Sequence, residues 1–466
     1  PAVDPAAAAA YLRDGYVPAP HTIYRSTWKR RPGEWISVGL DGTHRRRLYW
    51  DLRTIATQGV AAPTELSDQE AQQRLDELVG ESVLRRTLSD VPLGAFLSGG
   101  IDSSLVAALL QHRRSERLKT FCIGFEESAF DESVHARRVA ERLGTDHTEH
   151  RITTTEARDV VPKLAQMYDE PFGDSSQIPT HLVSVLARRH VTVALSGDGG
   201  DELFAGYDRH RRAEAVWDRL QHLPRSMRRM AAVVARGLGP KLLGPAARVS
   251  GSRALQTASR RVRRAADLLA AEEGTALPLA LISQWPDPAA LVPGAAESRG
   301  LFFDQELCDQ VPHLADRMRL LDALAYLPGD LLTKVDRASM AVGLEVRVPL
   351  LDHRVVEFAF GLPRRLLIRE GRGKWILRRV LSRYLPGEWF ERPKQGFAVP
   401  VGAWLRGPLR DWAESMLDEQ ALSADGLLDP KPIRAAWAAH RRGEGGLDGP
   451  LWTVLMLQAW RARWDR

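Results

Sequence analysis

Eight consecutive residues, Leu97-Ser-Gly-Gly-Ile-Asp-Ser-Ser104, have the types and spacing to hold a phosphate. Gly99 and Gly100 let the backbone approach an anion closely. A helix opening at that point presents unpaired N–H groups and the positive end of its dipole. Ser98, Ser103 and Ser104 add short hydroxyl donors. Asp102 stands apart, because a carboxylate repels a phosphate. Bound Mg2+ resolves the conflict, since that ion takes one or two carboxylates together with phosphate oxygens. The string lacks the Gly-Lys-Ser/Thr ending of a Walker loop. Its competing reading is a serine-rich helix cap after a tight turn.

A second string, Leu195-Ser-Gly-Asp-Gly-Gly-Asp-Glu202, has the same glycine-rich, acidic character. Asp198 is placed to hold the same Mg2+ from the opposite side. Asp201 and Glu202 either bind metal, orient a substrate or cap the next helix. Further on, Asp336, Arg337, Glu345, Arg347 and Asp352 alternate with apolar residues. Such a pattern suits a buried ion-pair network.

Both turns need strands before them and helices after them, and the flanking sequence supplies these. Apolar runs at 93–97, 120–125, 147–152 and 191–195 predict four strands. Helical periodicity covers 68–86 and 103–113, and another helix is expected over 131–143, with Asp131 as N-cap and Gly144 at its end. Repeated strand–helix alternation predicts an α/β fold with a parallel sheet covered on both faces. Turns at the carboxyl ends of such strands open into one crevice. Residues 1–58 contain strand-like pieces, and the Leu-Asp-Gly turn within 40–42 predicts a β-hairpin. Residues 59–67 read as a linker, and 209–466 as mostly helical.

The chain has 466 residues, 44% hydrophobic and 27% charged, which suits a globular protein of two or three domains. No apolar run reaches the roughly 18 residues of a membrane span. The first residues lack the features of a signal peptide. Cys122 and Cys308 are the only cysteines; they build no disulfide framework and fit a reducing cytoplasmic setting. From Arg209 to Arg264 fifteen Lys and Arg residues face two acids, Glu214 and Asp218. An Arg-rich helical surface accounts for the block. No nucleic-acid-binding motif accompanies it, so nucleic acid is not expected as a partner.

Taken together, SGGIDSS and SGDGGDELFAGY resemble the PP-loop synthetase domain of glutamine-dependent asparagine synthetases. FDESVHARRVAERLGTDHTEH, YDEPFGDSSQIPTHLVS, LPGDLLTKVDRASMAVGLEVRVPLLDHRVVEFA, GRGKWILRRVL and RPKQGFAVPVGAWLRG extend the resemblance over about residues 60–410. It implies a PP-loop ATP pyrophosphatase fold with a large helical C-terminal part. It divides the chain into 1–58, the end of an Ntn-type glutaminase domain, 68–410, the synthetase domain, and 411–466, its helical extension. ATP would bind the first loop, with Leu97, Ile123, Ser196 and Gly197 touching the nucleotide. Aspartate's side-chain carboxylate would attack the α-phosphate, and ammonia would then displace AMP. Lys394 would stand near the phosphates, where a flexible ammonium suits the developing charge. Asp201, Glu202, Asp336, Arg337 and Glu345 would contact the substrate's ammonium and carboxylate groups, with Arg337 as carboxylate anchor. Lys374, in GRGKWILRR, is either structural or phosphate-facing, with the structural reading preferred.

The glutaminase nucleophile of this family is an N-terminal cysteine. The chain begins at Pro1, and neither cysteine can take that place. Truncation within that domain is the simplest expectation, and free ammonia the expected nitrogen donor. A homodimer is left open. The same motifs leave room for macrolactam or β-lactam synthetases and for polysaccharide-linked amidotransferases. More distant readings are an RNA-modifying PP-loop enzyme and a catalytically silent binding protein.

Overall fold

The computed structural model describes residues 2–126, 131–211, 217, 222–224, 226–228, 230–234, 269, 276–296, 300–390, 397 and 399–464. Its central sheet has five strands, all parallel: β3 (Leu93–Phe96), β4 (Lys119–Phe125), β5 (Asp146–Ile152), β6 (Val193–Leu195) and β7 (Glu345–Arg347). Their order is β5-β4-β3-β6-β7. The four strands expected from the sequence are present. The fifth is three residues long with two charged side chains, too short and too polar to announce itself by pattern.

Alternation along the strands splits the interior into two cores. Phe121, Ile123 and Phe125 of β4 join one cluster, with Ile152 and Ala194. Cys122 joins the other, with Ala95, Leu97 and Leu195. Side chains on opposite faces of a pleated strand can do this only if helices cover both faces. The helices Asp68–Arg85 and Ile101–His112 cover the second face. Ser67 and Glu70 form a capping box on the first of these. The helix expected over 131–143 runs Ser133–Leu143 and ends at Gly144 in the left-handed conformation. Asp131 takes the Ser133 amide and hydroxyl.

The chain order along the sheet reverses at β3. From there β4 and β5 lie on one side, β6 and β7 on the other. The crevice of an open α/β sheet lies at such a reversal, outside the carboxyl ends of the two central strands.

The N-terminal region holds a hairpin, and before it a helix. Strands β1 (Glu34–Val38) and β2 (His44–Leu48) pair antiparallel around the expected turn. The helix Pro5–Asp14 reads as a run of alanines, uniform enough to hide its periodicity. Asp4 caps its start and Gly15 its end. Ala8, Tyr11 and Leu12 are buried in the first core with Val454, Leu455 and Trp460 of the helix Asp448–Trp464. The Tyr11 hydroxyl donates to the Thr453 carbonyl at 2.9 Å.

Near the C-terminal side of the crevice, one helical rod changes winding. The helix Leu314–Leu321 continues as a ten-residue π-helix, Asp322–Leu331, and then as the helix Leu332–Met340. Pro328 lies inside the π-helical stretch. Such windings are rare and occur often at functional sites. Among the described residues no helix is long and apolar enough to cross a membrane. Most of the basic block lies outside the described residues.

Candidate active site

The first turn leaves β3 at Phe96. Leu97 is buried, and its amide donates to the Phe121 carbonyl at 2.9 Å. Gly99 has φ +71°, and a Cβ there would come within 2.7 Å of the His135 carbonyl carbon. Only glycine fits that bend. Gly100 is the N-cap of the helix Ile101–His112, and no side chain caps it. Ser98 and Ser103 instead bond each other, hydroxyl to hydroxyl, at 2.9 Å. Ser98 Oγ also accepts from the Gly100 amide at 3.3 Å, and Ser103 Oγ from the Ser98 amide at 3.2 Å, so the serines brace the turn itself. The helix start keeps its dipole end free of a capping side chain, as an anion site requires. Ser104 is fully buried, its hydroxyl without a hydrogen-bond partner among the described residues.

The second turn leaves the neighbouring strand β6. The Ser196 amide donates to the Arg347 carbonyl at 2.9 Å, and the Ser196 hydroxyl to Asp198 Oδ2 at 2.8 Å. A Cβ on Gly197 would lie 2.5 Å from the Ser103 amide nitrogen and 2.7 Å from the Asp102 carbonyl carbon. The two turns are thus in direct contact, backbone against backbone. A short helix, Gly200–Leu203, follows and brings Asp201 and Glu202 inward.

Lys374 closes this arrangement. It precedes the helix Trp375–Leu381 with φ +57°, unusual for a side-chain-bearing residue. Its amide donates to the Phe204 carbonyl at 2.9 Å. Its ammonium pairs with Asp102 and, at 2.7 Å, with Asp201 Oδ1. Burial works against its charge, yet the two carboxylates outweigh burial and raise its pKa above the ordinary lysine value. Sequence left this lysine structural or phosphate-facing, with structural preferred; the fold puts its charge between the two acidic turns. The signal was GRGK, where glycines before a lysine allow the unusual backbone.

Behind the second turn lies a buried polar layer. Burial, with the Asp201 charge, pushes the Glu202 carboxyl up to about 7, and the Tyr207 hydroxyl donates to it. Asp322 pairs with Arg209 at 2.8 Å and with His210 at 2.6 Å. Lys334 donates to Asp174 Oδ2 and to the Ser176 hydroxyl, each at 2.8 Å. Burial alone would raise Asp174, but Lys334 and Ser176 hold it down at about 2. None of Asp174, Asp322, Asp330, Lys334 and Tyr207 was singled out from sequence, because each draws meaning only from partners far along the chain.

Ile123 is buried in β4 with its side chain in the core. Asp336 and Arg337 are exposed, with Arg337 paired to Asp169 at 2.8 Å. Glu345 is exposed and pairs with Arg347 at 2.6 Å. It sits opposite Val193, at the end of its strand away from the turns. Asp352 pairs with Arg354 at 3.0 Å and Arg86 at 3.2 Å. All five side chains make ion pairs, but of them only Asp352 is buried, so they do not form the buried network expected, and Glu345 is not brought to the crevice. Lys394 lies outside the described residues.

Among the described residues no three His, Cys, Asp or Glu side chains gather to hold a metal. Mg2+ does not demand such a cage, because it keeps water and phosphate oxygens as ligands. Asp102 and Asp198, on touching turns, fit an ion that arrives with a nucleotide.

Comparison with known proteins agrees with this geometry. The asparagine synthase family model matches residues 74–462. A Mycobacterium tuberculosis protein provisionally named asparagine synthetase (glutamine-hydrolyzing) is 33% identical over 454 residues, covering 96% of this chain and 66% of that protein. Asparagine synthetase (glutamine-hydrolyzing) 1 of Bacillus subtilis is 27% identical over 460 residues, covering 99% of this chain and 69% of its own length. The Penicillium rubens amidase chyE is 26% identical over 455 residues, with 88% and 64% covered. The chain spans about two thirds of the length of these curated relatives. With the family model spanning both turns, the lysine between them and the helical rod beyond, this chain belongs to the asparagine synthase family of ligases.

Proposed function

We propose that the crevice binds ATP with Mg2+ and that the chain adenylates the side-chain carboxylate of aspartate. A carboxylate oxygen bonds to the α-phosphorus as the bond to pyrophosphate breaks, giving β-aspartyl-AMP. Ammonia then attacks the acyl carbon, AMP leaves, the nitrogen loses a proton, and asparagine forms. One observation carries this proposal: the turns after β3 and β6 touch at Gly197 and Ser103, with Lys374 between Asp102 and Asp201.

Each part has a task that charge and geometry suit. The free helix start at Gly100 and the hydroxyls of Ser98 and Ser103 face the phosphates. Leu97, Ser196 and Gly197 line the nucleotide. Asp102 and Asp198 would hold Mg2+, which when bound neutralises charge on the leaving pyrophosphate. Lys374, charged and buried, is positioned to turn from the carboxylates to the phosphate oxygens. Lys394 would add a second ammonium there. Holding both reactants in a dry crevice supplies much of the rate. Asp201 and Glu202 orient the substrate side.

Pyrophosphate release with Mg-ATP and ammonium, measured across amino and carboxylic acids, tests the proposal. Release with aspartate, and asparagine as product, is expected. Release with another carboxylate but never with aspartate would reassign the substrate. No release with any carboxylate would end the adenylation proposal.

A further inference from the structure

Within the basic block, residues 226–228 and 230–234 are helical, and the Arg228 amide donates to the Pro224 carbonyl at 3.1 Å. A surface helix ordinarily buries its apolar side chains and turns its charged ones to water. This one does the reverse. Arg228, 6% exposed, and Ala232, 2% exposed, lie one turn apart on the face turned to the protein. The Arg228 guanidinium sits over the Trp217 ring, 5.7 Å from its centre. Met227, Met230 and Val234 follow the i, i+3, i+7 spacing of one helix face, opposite to Arg228 and Ala232. All three are exposed, as are Val233 beside them and Leu223 just ahead of the helix. Arginine stems lying over apolar flanks were the expectation for this block; here the apolar side chains stand in water instead.

An exposed apolar row framed by charge marks an interaction surface. The charge and composition around it say what covers it. From Arg219 to Ala266 the sequence has twelve Lys and Arg residues and no Asp or Glu, and eleven of the twelve are Arg. The same stretch has no Phe, Trp or Tyr. Aromatic side chains anchor helices at a membrane interface and stack on the bases of single strands, so the stretch suits neither. A nucleic-acid duplex draws basic residues to its phosphates and leaves an apolar row nothing to bury against. The same face of a second copy would bring like charge against like. Arginine and methionine with little lysine is the composition of protein–protein interfaces, and methionine adapts its shape to a partner.

We propose that this face docks an acidic amphipathic helix of another protein. Its apolar stripe covers Met227, Met230 and Val234, and its carboxylates answer the arginine excess around them. None of these residues belongs to the two acidic turns, so the docking face stands apart from the adenylation proposed above.

The probe is a labelled synthetic helix about 18 residues long, enough to hold its winding. It carries leucines at i, i+3, i+4 and i+7 and glutamates elsewhere, and fluorescence anisotropy follows its titration with the full chain. Saturable binding is expected, weakening several-fold as added salt screens the charges. Met227→Ser with Met230→Ser should weaken binding at least about tenfold. Because both side chains are exposed, the circular dichroism and the urea midpoint should stay unchanged. Val234→Ser should weaken binding by a smaller factor, and decides the matter if the double variant does not fold. The proposal is overturned if the glutamate helix does not bind, if the same helix with lysines for glutamates binds equally well, or if the serine variants bind as the wild type does. Tighter binding to phosphatidylserine vesicles or to an RNA oligonucleotide, lost in the same variants, would give the face to lipid or RNA and overturn it too.

Discussion

Lys374 shows how one side chain can hold two acidic turns together. Its ammonium, buried with the residue 5% exposed, neutralises Asp102 and Asp201. Removing one partner of a buried charge group leaves the others uncompensated, at about 3–5 kcal/mol. Lys374→Met should therefore lower the unfolding free energy by about 3 kcal/mol in urea titrations without nucleotide, and pyrophosphate release should fall at least about 100-fold. Glu202 gives a pH signature. In the folded protein it keeps its proton up to about 7, whereas the ordinary glutamate value is 4.5. Between those two values the folded state binds more protons than the unfolded one, so stability falls as pH rises. The contribution is complete below the lower value and lost above the upper one, with a slope of at most about 1.4 kcal/mol per pH unit. Glu202→Gln should flatten that slope in urea midpoints measured across the window; an equal slope in both proteins would assign it to other groups.

At the scale of elements, the decisive contact lies between the turns after β3 and β6. Parallel pairing of Gly94 with Ala194 and of Ala95 with Leu195 sets their register. A one-residue change in either turn would misplace every donor that follows. Gly197→Ala puts a methyl 2.5 Å from the Ser103 amide nitrogen, closer than van der Waals contact allows. The turns must separate, and the ATP dissociation constant measured by calorimetry should rise at least about tenfold, with little change in the far-ultraviolet spectrum. Unaltered ATP affinity would mean that the crevice does not hold the nucleotide at this contact.

For the whole molecule, the N-terminal helix Pro5–Asp14 shares one core with the C-terminal helix Asp448–Trp464. Leu12 is fully buried there. Leu12→Ala should cost about 2–5 kcal/mol and lower the midpoint of the main unfolding transition; a separate early transition would show instead that this helix melts on its own. The hairpin offers a contrast. Leu40, at its tip, is fully exposed, so Leu40→Ser should change stability by less than about 0.5 kcal/mol.

Local chemistry was legible in the sequence. The turns at 97–104 and 195–202, the strands before them and the helices after them announce themselves because glycine, serine and aspartate act on the backbone within a few residues. The same holds for the hairpin and for Gly144 as a helix end. Tertiary structure alone decided that Lys374 joins Asp102 and Asp201, that Glu345 sits at the end of its strand away from the turns, and that Lys334 pairs with Asp174. Charge is long-ranged and burial is collective. The state of such a group depends on partners hundreds of residues away in the chain, and no window of sequence contains them.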